Sequence, residues 1–148
     1  MLNQLQEVFA SLQKHEVKYV VIGGIAAVLY GVPRATFDLD ILIDATPENA
    51  ERLLAALLDA KLGTAALITA KELLKKEITI FQDRVRIDVQ ISTPGLVFQH
   101  CWENCKMMTY RGQSFFVVSK TDLIASKRAA GRQIDLADVR ILELDQPS

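Results

Sequence analysis

Two hydrophobic periods alternate along the chain, and each switch of period marks an element. Leu5, Val8, Phe9 and Leu12 fall at i, i+3, i+4 and i+7, which predicts an amphipathic first helix. Val17-Lys18-Tyr19-Val20-Val21-Ile22 is β-branched and aromatic and reads as a strand. It runs into Gly23-Gly24, then a short apolar helix from Ile25 to Tyr30, closed by Gly31. Pro33 keeps the next residues out of helix, and Phe37 to Ile43 reads as a second strand. Thr46 as N-cap and Pro47 at the first helical position open a helix with Ala50, Leu53, Leu54 and Leu57 facing the core, to about Ala60.

The pattern from Thr64 to Lys76 is weak, and only a short helix from Ala70 is expected there. Ile78 to Phe81 and Val85 to Ile91 read as strands joined by a tight turn at Gln82-Asp83-Arg84, and Leu96 to Lys106 as helix. Gln113 to Val118 reads as a last strand. Ser119-Lys120-Thr121-Asp122 has the form of a capping box for a helix stopping near Gly131, and Asp135 is the expected cap of a final helix through Leu142. Mixed strands and helices with one hairpin predict an α+β fold, a mixed β-sheet flanked by helices. No repeat, low-complexity tract or linker divides the chain, so a single domain is expected over residues 1–148.

Composition narrows the class. With 50% hydrophobic residues and 24% charged, the chain has enough apolar surface for a packed core. Its 17 Lys+Arg against 18 Asp+Glu argue against a purely electrostatic nucleic-acid binder. No apolar run approaches the roughly 18–20 residues of a membrane span. The first residues lack the basic and apolar regions of a secretory signal. A small cytoplasmic protein is the expectation. The charge is segregated: Lys106, Arg111, Lys120, Lys127, Arg128 and Arg132 face a single acid, Asp122, in one stretch. Such a segment is either a solvated basic face or an anion site opposite carboxylates.

The candidate carboxylates are Asp38 and Asp40. Residues two apart on a strand share a face, so both project one way, with Leu39 and Ile41 on the other side. Two like charges side by side on a sheet repel unless a cation lies between them. A divalent metal such as Mg²⁺ is the economical explanation, because hard cations take carboxylate and phosphate oxygens. Asp88 is a third acid, set in an apolar strand, Val85-Arg86-Ile87-Asp88-Val89. If its strand neighbours the second strand, the three acids can hold two metals, as in-line phosphoryl displacement requires. Gly23-Gly24, at a strand end before a helix, either lets the backbone approach a phosphate or makes a plain turn.

The combination resembles a known family. Ile22-Gly23-Gly24, a spacer, Asp38-Leu39-Asp40-Ile41 and a later Ile87-Asp88-Val89 look like the signature of the nucleotidyltransferase superfamily, the DNA polymerase β-like fold. Arg34-Ala35-Thr36-Phe37-Asp38-Leu39-Asp40 and the run from Lys127 to Arg132 with Asp135 and Asp138 are closer to its small bacterial branch. That branch includes minimal nucleotidyltransferases and abortive-infection, toxin-type nucleotidyltransferases. The resemblance implies that Asp38, Asp40 and Asp88 hold two Mg²⁺ ions, or Mn²⁺. Asp88 would also take, or help to take, the acceptor's hydroxyl proton. Gly23 and Gly24 would cradle the β- and γ-phosphates of an NTP. Arg34 would bind a phosphate or pair with Asp38 or Asp40; Thr36 would hydrogen-bond a metal-bound water or pack.

Lys127, at i+4 from Leu123, is the better placed of the Lys127-Arg128 pair to reach a cleft, or to run along the core rim. The implied reaction moves an NMP from an NTP to an acceptor hydroxyl with release of pyrophosphate. The acceptor is open among a protein, a tRNA end and a small molecule, and a dimer mate or separate protein is expected to help shape its site. The rival reading is a non-catalytic nucleotide- or partner-binding module, antitoxin-like or accessory. A hydrolase on the same fold is a third. His100-Cys101-x-x-x-Cys105 offers three soft ligands where a structural zinc site takes four, so buried or half-buried thiols are expected instead. His15 is read as a helix C-terminal residue, and Asp44 as a cap or turn residue at a strand end.

Overall fold

A computed structural model describes residues 2–144 of the 148. The elements run α1 (Leu2–Lys14), β1 (Tyr19–Ile22), α2 (Gly23–Leu29), β2 (Asp38–Ile43) and α3 (Pro47–Asp59). A 3₁₀ turn (Gly63–Leu67), α4 (Ala70–Leu73), β3 (Ile78–Gln82) and β4 (Arg86–Gln90) follow. The chain continues with α5 (Phe98–Asn104), β5 (Lys106–Tyr110), β6 (Gln113–Val117), α6 (Lys120–Ala130) and α7 (Gln133–Leu144). The strands form one mixed sheet in the order β3-β4-β2-β1-β6-β5. β1 runs antiparallel to β2 and parallel to β6; β2 and β4 are parallel; β3–β4 and β5–β6 are antiparallel. The fold is α+β, as its patterning predicts.

The core explains the positions. Leu5, Val8, Phe9 and Leu12 of α1 are buried, and Phe9 stacks on Phe115 of β6 with ring centroids 4.4 Å apart. Leu53, Leu54 and Leu57 of α3 are buried with them, as are Leu39, Ile41 and Ile43 of β2. The Thr46 hydroxyl accepts from Asn49 N–H at 3.2 Å, with Pro47 in the first turn. Asn49 is itself buried and fully used. It accepts from Lys18 N–H at 2.8 Å and donates to the carbonyls of Lys18 and Asp44, both at 2.9 Å. One amide thus ties the entry of β1 to the exit of β2, and Asp44 serves there through its backbone.

Three elements depart from expectation. The helix after Leu96 ends at Asn104, and Lys106–Tyr110 is a strand with no strong β signal. It is specified from outside: it completes β6, across a two-residue turn in which Arg111 (φ 49°) and Gly112 (φ 83°) are both left-handed, the geometry of a tight hairpin. Ser119 caps α6 as expected, accepting from Asp122 N–H at 3.1 Å, and only the Asp122 carboxylate departs, lying 3.2 Å from His100 Nε2. Asp135 lies inside α7, at its third residue, and its carboxylate accepts from Arg132 N–H at 3.3 Å. His15 follows α1 and pairs with Asp59 at 3.1 Å. Cys101 is buried and Cys105 half-buried. No helix among the described residues is long and apolar enough to cross a membrane.

Candidate active site

The sheet register brings the acids together. β2 and β4 are parallel with Asp40 directly opposite Asp88 and Asp38 opposite Arg86. Cross-strand partners share a face, so Asp38, Asp40 and Asp88 line one cleft of about 510 Å³. Leu39 and Ile41 lie on the buried opposite side. A second cavity of about 400 Å³ lies elsewhere, lined by Leu12, Tyr19, Trp102 and Phe116, and is mostly apolar.

Gly23 shows how tightly the cleft is built. It takes a left-handed φ of 70°, and a Cβ there would lie 2.3 Å from Asp40 Oδ2. Only glycine lets β1 turn into α2 this close to the carboxylate. At Gly24 a Cβ would meet Thr36 Oγ1 at 2.8 Å, so Thr36 packs against the turn at the cleft wall. Because β1 pairs with β2 through Ile22 opposite Asp40, the glycine turn and the acids meet at one end of the sheet.

The acid wall is under-compensated. Arg86 is the one cation bonded to it among the described residues. Its Nε lies 2.9 Å from Asp88 Oδ1 and 3.6 Å from Asp38 Oδ2, and its Nη2 3.2 Å from Asp88 Oδ2. Burial, then the charges of Asp88 and Asp38, push the Asp40 carboxyl up to about 7, and Arg86 offsets only part of this. Arg86 itself is held more firmly protonated by its bond to Asp88. In this arrangement, among the described residues, no group of three or more His, Cys, Asp or Glu side chains is disposed to close on a metal ion.

The opposite wall, from α6 and α7, is a finished ion network. Lys127 is buried, with Nζ 2.8 Å from Asp138 Oδ2 and 3.6 Å from Asp135 Oδ1. Arg34 donates to both Asp138 oxygens, at 2.8 and 3.3 Å. Arg132 does the same to Asp135, at 2.6 and 3.1 Å. Burial alone would raise both carboxyls. The hydrogen bonds and charges of Arg132 on Asp135, and of Arg34 and Lys127 on Asp138, outweigh it and bring both below the ordinary value. Of the two roles open to Arg34, the pairing with Asp38 or Asp40 is not found; its carboxylate partner is Asp138. Lys127 reaches the cleft wall, while Arg128 is exposed and pairs with Glu143.

Comparison with known proteins places the chain in a family and its fold among solved structures. A family described as a nucleotidyltransferase of unknown function (DUF6036) matches residues 1–146. The chain belongs to this family. Among solved structures, this nucleotidyltransferase-family chain is similar to a Thermotoga maritima protein assigned as a nucleotidyltransferase, TM1012. Identity is 18% and the TM-score 0.54, over 97% of this chain and 88% of that one. It is also similar to the lincosamide antibiotic adenylyltransferase LnuA, solved with lincomycin bound. There identity is 17% and the TM-score 0.55, over 97% of this chain and 96% of that one. At such identities the likeness is one of fold. No curated protein matches the sequence.

Arg86 escapes reading by motif, while Arg132, Asp135 and Asp138 enter the sequence only as part of the resemblance, with no role assigned to them. Arg86 carries a signal in retrospect, since it lies two residues from Asp88 on one strand and so shares its face. Asp135 and Asp138 are three apart on a helix and so share a face as well.

Proposed function

We infer that this family member is a metal-dependent nucleotidyltransferase that moves an NMP from an NTP to an acceptor hydroxyl. The observation that carries this is the row Gly23, Asp40, Asp88. A glycine that must be glycine touches one acid, and that acid lies in register with another and beside a third. Three carboxylates with one arginine leave an excess of negative charge, and Asp40 answers it by holding a proton near neutrality. Hard carboxylate oxygens under such repulsion suit Mg²⁺ or Mn²⁺, with Asp38, Asp40 and Asp88 as the holders and Arg86 giving way. Bound there, the metal would supply positive charge to the α-phosphate and its leaving group.

The chain's own groups account for the rest. Gly23 and Gly24 let the backbone close on the triphosphate, with Thr36 packed behind the turn. The acceptor oxygen bonds to the α-phosphorus as the bond from that phosphorus to the bridging oxygen breaks. Pyrophosphate leaves with that oxygen's electron pair, and the hydroxyl proton passes to Asp88. Most of the rate comes from holding these groups in line. The test is paired. Thermal unfolding with Mg²⁺, with each of the four NTPs, and with both should show the largest shift with both, about 2.7 kcal/mol at a hundredfold excess over Kd. α-Labelled NTP should then label an acceptor. No shift with any NTP and metal would overturn this reading in favour of the accessory module.

A further inference from the structure

The acid row continues past Asp88. β3 pairs with β4 in register, Ile80 opposite Asp88 and Ile78 opposite Gln90, so both isoleucines lie on the same face of the sheet as the carboxylates. They are 53% and 48% exposed, and β3 is an edge strand. An open edge is usually dressed with charge, and the solvent face of an antiparallel pair is usually polar. Here two large apolar side chains stand uncovered beside three acids, while Phe81, on the other face, fills the core. Ile134, 47% exposed at the start of α7, faces the cleft from the other wall.

The order across the sheet assigns sides. Gly23 adjoins Asp40 and Gly24 adjoins Thr36, so the backbone that closes on the phosphates lies at that end. Asp88 separates this end from Ile78 and Ile80. Resting on the nucleotidyltransferase reading above, we propose that Ile78 and Ile80 form the acceptor shelf, and that the acceptor is a small molecule whose reactive hydroxyl adjoins an apolar face. Two isoleucines with Ile134 opposite offer far less than the roughly 800 Å² that a macromolecular partner covers on each side. A nucleic-acid end needs cations for its phosphates, and Arg34, Arg86, Lys127 and Arg132 are each bonded to a carboxylate.

Isoleucine-methyl NMR of the whole protein with Mg²⁺ and a non-hydrolysable ATP analogue tests this. Benzyl alcohol, a hydroxyl beside an apolar ring, is the probe; glycerol and a short CCA-ended RNA are the controls. Benzyl alcohol should move the Ile78 and Ile80 methyl signals, and glycerol and RNA should leave them in place. Ile78→Thr with Ile80→Thr, which keeps β-branching in the strand, should weaken the probe's effect on the Ile134 methyl at least tenfold. The Ile→Val pair should restore it, with nucleotide affinity unchanged throughout. Immobile Ile78 and Ile80 signals, or equal responses to glycerol or RNA, would overturn the shelf while nucleotide still bound. Absence of nucleotide binding would instead overturn the reading beneath it.

Discussion

The cleft has two charged walls built from the same residue types with opposite results. On the sheet, Asp38, Asp40 and Asp88 share one arginine, and Asp40 is pushed up to about 7. On the helices, Asp135 and Asp138 are matched by Lys127, Arg34 and Arg132, and both are held below the ordinary range. The difference lies in the partners each backbone supplies, since burial pushes every one of these shifted carboxyls upward. A wall whose charges are satisfied internally is architecture. A wall left short of positive charge is poised for a cation or substrate to complete it.

The largest test of this contrast is on chemistry. Asp38→Asn, Asp40→Asn and Asp88→Asn should each lower NMP transfer by at least about 10²–10³-fold, because each removes a holder of the cation that meets the developing charge. Melting temperatures of Asp38→Asn and Asp40→Asn should hold or rise, since each relieves repulsion worth roughly 0.2–1 kcal/mol on the sheet, while Asp88→Asn also gives up the charge that pairs with Arg86. Transfer rate and melting temperature on the same samples decide it; loss of activity in step with unfolding would make the acids structural.

Lys127→Ala should do the reverse. It leaves two buried carboxylates short of a partner, and breaking a buried pair in this way costs about 3–5 kcal/mol. Denaturant midpoints would measure the loss. A variant as stable as the parent would mean that the helical wall is not held by its ions.

Acidity separates the walls by window. In metal-free protein, folded Asp40 keeps up to about pH 7 a proton that the unfolded chain releases near 3.8. The folded state therefore binds more protons between these values, and stability falls as pH rises across them, by at most about 1.4 kcal/mol per pH unit for one group. Asp40→Asn should flatten this limb. Asp135 and Asp138 are depressed, so their contribution is present above the ordinary value of 3.8 and is lost as pH falls below it. That acid limb should survive Asp40→Asn and shrink in Asp138→Asn. A single limb common to all three proteins would erase the contrast.

The smallest effect is expected outside both walls. Arg128 and Glu143 form an exposed pair on α6 and α7, with both side chains about half exposed. Arg128→Ala should change stability by no more than about 1 kcal/mol, beside the several expected at its neighbour Lys127. A larger loss would place this surface pair in the ion network.

Much of this was legible in the chain itself. Periodicity marked α1, β1, β2, the β3–β4 hairpin and α3, because the side of an element a residue faces follows from local geometry alone. By the same rule Asp38 and Asp40 had to share a face, and Asp88 stood out as an acid in an apolar strand. Strand β5 was not legible, because its pattern is ordinary and its pairing with β6 made it. Nor was the partner of Arg34, an acid 104 residues away. Only the tertiary structure set β4 beside β2 with Asp88 opposite Asp40, and closed Lys127 between Asp135 and Asp138. Local sequence fixes which way a side chain points; which strand or helix lies across from it depends on how the apolar faces pack together, and that is a property of the whole chain.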